Sequence, residues 1–120
     1  MRLTSITLTT LLLVTGCATM VEMRDEGPYR SLTSTKTPEV IANCVSEAWT
    51  TQQVTPIAFT PDVRINPITG GKQVMIYNSQ SLSPDAFVDI VGNAPTKLTY
   101  YAKHRELFKR GYADLVSGCI

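Results

Sequence analysis

Thr37-Pro38-Glu39-Val40-Ile41-Ala42-Asn43-Cys44-Val45-Ser46-Glu47-Ala48-Trp49 is the stretch whose periodicity decides the class of this chain. The Thr37 hydroxyl can accept from a backbone N–H of a helix's first turn. Pro38 suits the first helical position, and Glu39 complements the positive end of the helix dipole. Val40, Ile41, Cys44, Val45, Ala48 and Trp49 then recur at the spacing of a single helical face. The pattern predicts a helix from 38 to about 51, with Trp49 in the core on its apolar stripe.

Beyond Trp49 the period changes. Val54 to Phe59 reads as an extended segment, which Pro56 and Pro61 confine to an edge or a bend. Val63-Arg64-Ile65 alternates briefly, and Asn66 to Gly71 reads as a loop or a hairpin connection. Lys72 to Tyr77 is a strand, with Val74, Met75 and Ile76 in succession pointing to burial on both faces. Ser79 to Asp85 is polar, contains Pro84 and reads as a loop. Phe87 to Val91 and Lys97 to Ala102 flank Gly92-Asn93-Ala94-Pro95 as the two arms of a hairpin. Leu107, Phe108, Tyr112, Leu115 and Val116 fall at helical spacing, which predicts a last helix from about 105 to 117 with Cys119 just past its end. A helix, three or four antiparallel strands and a second helix make an α+β two-layer domain, the sheet packed under an N-terminal and a C-terminal helix.

Upstream of Thr37 the pattern fades. Residues 18–36 hold no sustained period, Gly27-Pro28 is a turn signal, and a Ser/Thr cluster follows. The expectation is a flexible tether over 17–36 joined to a folded domain over 37–120.

The first stretch has the order of an export signal: Arg2, a short apolar run containing Leu11-Leu12-Leu13-Val14, then the small residues Thr15 and Gly16 before Cys17. Its apolar part is about ten residues, half of the roughly 20 that a membrane-spanning helix needs. Val14-Thr15-Gly16-Cys17 resembles the lipobox of bacterial lipoproteins. That resemblance implies a signal peptide over 1–16, removal of it before Cys17, and a diacylglycerol and usually a further acyl chain such as palmitate on that cysteine. One myristoyl chain alone binds a membrane only marginally, whereas two or three on one residue hold it there essentially permanently. Ala18 stands after the cysteine where an aspartate would signal retention in the inner membrane. By resemblance to enteric sorting, this implies the periplasmic side of the outer membrane of a Gram-negative bacterium. The wider layout is similar to that of short uncharacterised lipoproteins of such bacteria: lipobox, a helix carrying a cysteine and an aromatic, strands, and a cysteine near the C-terminus. The likeness brings no activity with it.

With Cys17 lipidated, Cys44 and Cys119 remain, in a compartment where paired thiols oxidise. The expected bridge is Cys44–Cys119, which would tie the first predicted helix to the end of the chain. A redox-active pair is the rival reading, but no Cys-x-x-Cys motif supports it.

Charge excludes one class of partner. Lys plus Arg number 11 against 10 Asp plus Glu, and loss of Arg2 with the signal would leave them equal. Nucleic-acid binding is built on neutralising phosphates, so it is not expected of a chain so balanced. The densest basic stretch, Lys103-His104-Arg105 with Lys109-Arg110, is interrupted by Glu106 and reads as a solvated helix face.

No set of residues points to catalysis. His104 is the sole histidine, and no Gly-x-Ser-x-Gly motif accompanies it. One histidine and no spare cysteine pair make a poor zinc site, so no metal and no cofactor are expected. Gly70-Gly71-Lys72 has the look of a phosphate loop's end. However, Gln73 stands where Ser or Thr would hold magnesium, so a turn is the better reading. The carboxylates Glu39, Glu47, Asp62, Asp85, Asp89 and Asp114 are scattered singly.

Three functions fit these features. The first is a non-enzymatic envelope protein acting by contact with another envelope protein. The second is phage superinfection exclusion or toxin immunity, and the third is small-ligand or cell-wall binding. Candidate contact residues are the tyrosines Tyr29, Tyr77, Tyr100 and Tyr101, which supply area at low entropic cost. Alternation along a strand should expose one of Tyr100 and Tyr101. The oligomeric state is left open.

Overall fold

The computed structural model describes residues 18–52, 61–77, 83–103 and 106–120. The predicted signal peptide, Cys17, the extended reading of 54–59, most of the predicted 79–85 loop and His104 lie outside the described residues. Among the described residues three helices, α1 (Ala18–Glu26), α2 (Pro38–Thr51) and α3 (Glu106–Ser117), accompany five strands. The strands are β1 (Arg30–Ser34), β2 (Asp62–Ile68), β3 (Gly71–Tyr77), β4 (Ala86–Gly92) and β5 (Thr96–Ala102). They form one antiparallel sheet in the order β1-β5-β4-β3-β2.

α2 matches its prediction from 38 to 51. The Thr37 hydroxyl accepts from the Val40 N–H, Pro38 opens the helix and Glu39 sits in its first turn. Its buried stripe of Ile41, Ala42, Val45 and Trp49 lies on the inner face of the sheet. Sheet residues Val74, Ile76, Val88, Ile90, Leu98 and Tyr100 meet it there, with Tyr112, Ala113 and Val116 of α3. Trp49 is the centre of this layer. Its ring stands edge-on to Tyr100 and Tyr112 at centroid distances of 6.2 and 5.7 Å, and its Nε1–H donates to the Tyr112 carbonyl at 3.2 Å. The donor is therefore satisfied inside the core.

The disulfide joins Cys44 to Cys119 with a Cα–Cα separation of 5.8 Å. Around it the segment after β1 is tied down twice. The buried Thr96 hydroxyl donates to the Lys36 carbonyl at 2.7 Å, and the Lys36 ammonium donates to the Cys119 carbonyl at 3.4 Å.

The segment read as a tether is corrected by two elements. β1 pairs with β5 from Arg30↔Tyr100 to Ser34↔Thr96, which makes five strands instead of three or four. The sequence hides it because Leu32 is its sole apolar residue; an edge strand with one face toward solvent needs little more. α1 crosses the opposite, outer face of the sheet, so a third layer covers part of a domain expected to have two. The loop expected over 66–71 is also shorter. β2 continues to Ile68, and Thr69-Gly70 make the turn, with Gly70 at φ +80°.

Candidate functional site

Alternate residues of each strand point outward, and pairing aligns them in rows. One row runs Arg64, Met75, Phe87, Tyr101 across β2, β3, β4 and β5; the next runs Asn66, Gln73, Asp89, Thr99. α1 is laid over the first. Met23, Met75 and Phe87 form a second, smaller buried cluster, with Met20, Tyr77 and Tyr101 packed at its margin. This explains why Gln73, Val74, Met75 and Ile76 are all buried in sequence: helices cover both faces of β3.

Arg24 fastens α1 at its polar end. Its guanidinium lies 4.9 Å from the centre of the Phe87 ring and 5.3 Å from that of Tyr101. These two rings are stacked, 4.8 Å apart and 19° from parallel. The same group makes a 2.7 Å ion pair with Asp89, whose other oxygen accepts from the Gln73 amide at 2.8 Å. Donating to Asp89 holds the Arg24 guanidinium even more firmly protonated than usual, against the opposing cost of its partial burial. Both carboxylate oxygens of Asp89 are thus engaged, one by Arg24 and one by Gln73. At the β2 margin Arg64 lies 4.5 Å over the Tyr77 ring and pairs with Asp62 at 2.7 Å. That hydrogen bond holds the exposed Asp62 carboxyl below its ordinary range.

The predicted tyrosines fall on two sides. Tyr100 is 1% exposed on the inner face and is no contact residue; burial drives its phenol far above the normal tyrosine range. Tyr101 faces outward as alternation required, yet it is half-buried beneath α1 and Arg24. Tyr29 is exposed and stands edge-on to Tyr100, and Tyr77 is half-buried on the outer face. Gly70-Gly71-Lys72 is the β2–β3 turn and the start of β3. Met23 and Arg24 were not singled out from sequence, Gln73 entered only as a departure from a phosphate-loop motif, and Asp89 only as one of the scattered carboxylates. Met20, Met23 and Arg24 do stand at three- and four-residue spacing, but a nine-residue helix offers too few turns for that to register.

A shallow cleft of about 350 Å³ lies at the other end of the sheet, lined by Thr33, Ser34, Thr35, Pro95 and Ile120. Its Ser34 hydroxyl accepts from the Lys36 N–H. Among the described residues no group of three or more His, Cys, Asp or Glu side chains gathers as a metal site. No described helix is long and apolar enough to cross a membrane. No protein-family model, curated protein or solved structure matches the chain.

Proposed function

We propose that this chain is the precursor of a lipoprotein of the bacterial envelope, held to a membrane through Cys17 and acting by contact rather than by catalysis. The observation that supports the anchor is the Cys44–Cys119 disulfide. It takes up two of the three cysteines, so the remaining thiol is the one that follows Val14-Thr15-Gly16. A stapled domain behind a lipid attachment site suits an envelope compartment, where disulfides persist. The contact reading draws support from the outer face, where Asp89, Gln73 and Arg24 are spent on one another in holding α1.

The test is metabolic labelling of cells with an alkyne fatty acid, comparing the wild-type chain with Cys17→Ser. The expected outcome is label and membrane co-fractionation in the wild type and loss of both in the variant. Label that persists in Cys17→Ser would overturn the anchor. In-cell crosslinking from the labelled protein then reads the contact function, and reproducible capture of one envelope protein is the expected result.

A further inference from the structure

We infer that α1 is a clamp that fixes the domain's orientation on its own membrane, turning the outer face of the sheet toward zwitterionic lipid headgroups. The inference rests on the anchor proposed above. It adds that the anchor leaves almost no slack.

The chain length carries the argument. A flexible tether of the twenty residues from 17 to 36 would let the domain float some 25 Å from the bilayer, in any orientation. The structure replaces that tether with a helix that begins at Ala18, one peptide bond after the lipid-bearing position. Met23, buried against Met75 and Phe87, follows Ala18 by about 8 Å of helix rise. Arg24, one residue further, is tied to Asp89. At its other end α1 leads through Gly27-Pro28 to Tyr29, whose N–H donates to the Tyr100 carbonyl at 2.8 Å. The helix is thus pinned at its middle on β3 and β4 and beyond its end at β5. The acyl chains enter the bilayer beside the outer face, and the inner layer of α2 and α3 faces away.

The surface fits such a partner. Val21, in the first turn of α1, is 57% exposed. Around it the outer face mixes signs: exposed Lys97, with the partly exposed Arg24 and Arg64 guanidiniums that already pair with Asp89 and Asp62, against exposed Glu22, Asp25 and Glu26 on α1. Basic groups can meet headgroup phosphates while the carboxylates meet headgroup ammoniums. A purely basic surface would instead select anionic lipid.

The experiment uses the lipidated full domain in phosphatidylcholine vesicles, with hydroxyl-radical footprinting read residue by residue. Non-lipidated Cys17→Ser protein in solution is the reference. The expected result is a several-fold loss of labelling at Arg64, Tyr77, Lys97 and Tyr101, with Pro38 and Val40 of α2 unchanged. Inserting about ten Gly and Ser residues between Cys17 and Ala18, a reach of roughly 17 Å, should abolish that protection while the protein still floats with vesicles. Protein that floats but is labelled equally on both faces overturns the clamp and leaves the anchor standing. Protection that survives the insertion also overturns it, because the face would then bind lipid without the clamp. A chain that carries no lipid and does not float removes the anchor and the orientation together.

Discussion

At Gly71 a methyl group has no room: a Cβ built there would lie 1.8 Å from the Ile90 carbonyl oxygen of the neighbouring strand. The obstacle is backbone, so the β3–β4 pair would have to open at Gly71↔Val91. Gly71→Ala should therefore cost about 3 kcal/mol, the upper end of overpacking penalties, seen as a lower urea midpoint. A second residue-scale effect concerns pH. Burial pushes the Tyr112 phenol up to about 12 from its ordinary value of 10.0. Between those values the unfolded chain has released a proton that the folded chain retains, so stability must fall as pH rises. The melting temperature should be insensitive to this group below about pH 10 and decline above it. Tyr112→Phe should lessen the decline without removing it, since Tyr100 is shifted in the same direction.

Among the elements, α1 is the one whose hold is concentrated in a few side chains. Its apolar contact is Met23 with Met20 at the margin, and its polar contact is Arg24 on Asp89, Phe87 and Tyr101. Arg24 is partly exposed, so solvent screens the ion pair, and Arg24→Ala should cost about 1 kcal/mol including the lost ring contacts. Met23→Ala should cost about 2 kcal/mol, the low end for a buried methionine. Either change should act locally. Amide exchange over 18–26 should quicken while the strands of the main core keep their protection. Uniform acceleration across the sheet would mean instead that α1 is integral to the core. α2 is the opposite case, an element whose cap, first-turn proline and apolar stripe were all legible before any tertiary contact was known.

For the whole molecule, the disulfide is the covalent constraint, closing a separation of 75 residues. Chain entropy assigns it about 4.5 kcal/mol, a large share of the stability of a small domain. Cys44→Ser and Cys119→Ser should each lower the melting temperature substantially, and the double variant should be no worse than either. An unchanged melt would show that the bonds of Thr96 and Lys36 hold the C-terminal segment on their own. The sequence by itself determined α2, α3, the central strands, the α+β class and the cysteine pair. Each of these is written in local periodicity, in capping chemistry or in a count of thiols. It could not reveal β1, α1 or the burial of Tyr100. Alternation says that Tyr100 and Tyr101 face opposite ways, but it does not say which face Trp49 will cover or what will lie on the other. β1 and α1 are short and polar and hold their places through partners far along the chain, Tyr100 for one and Asp89 for the other. Only the tertiary structure supplies those partners, because a strand's hydrogen bonds and a helix's ion pair with a distant strand leave no period in the sequence.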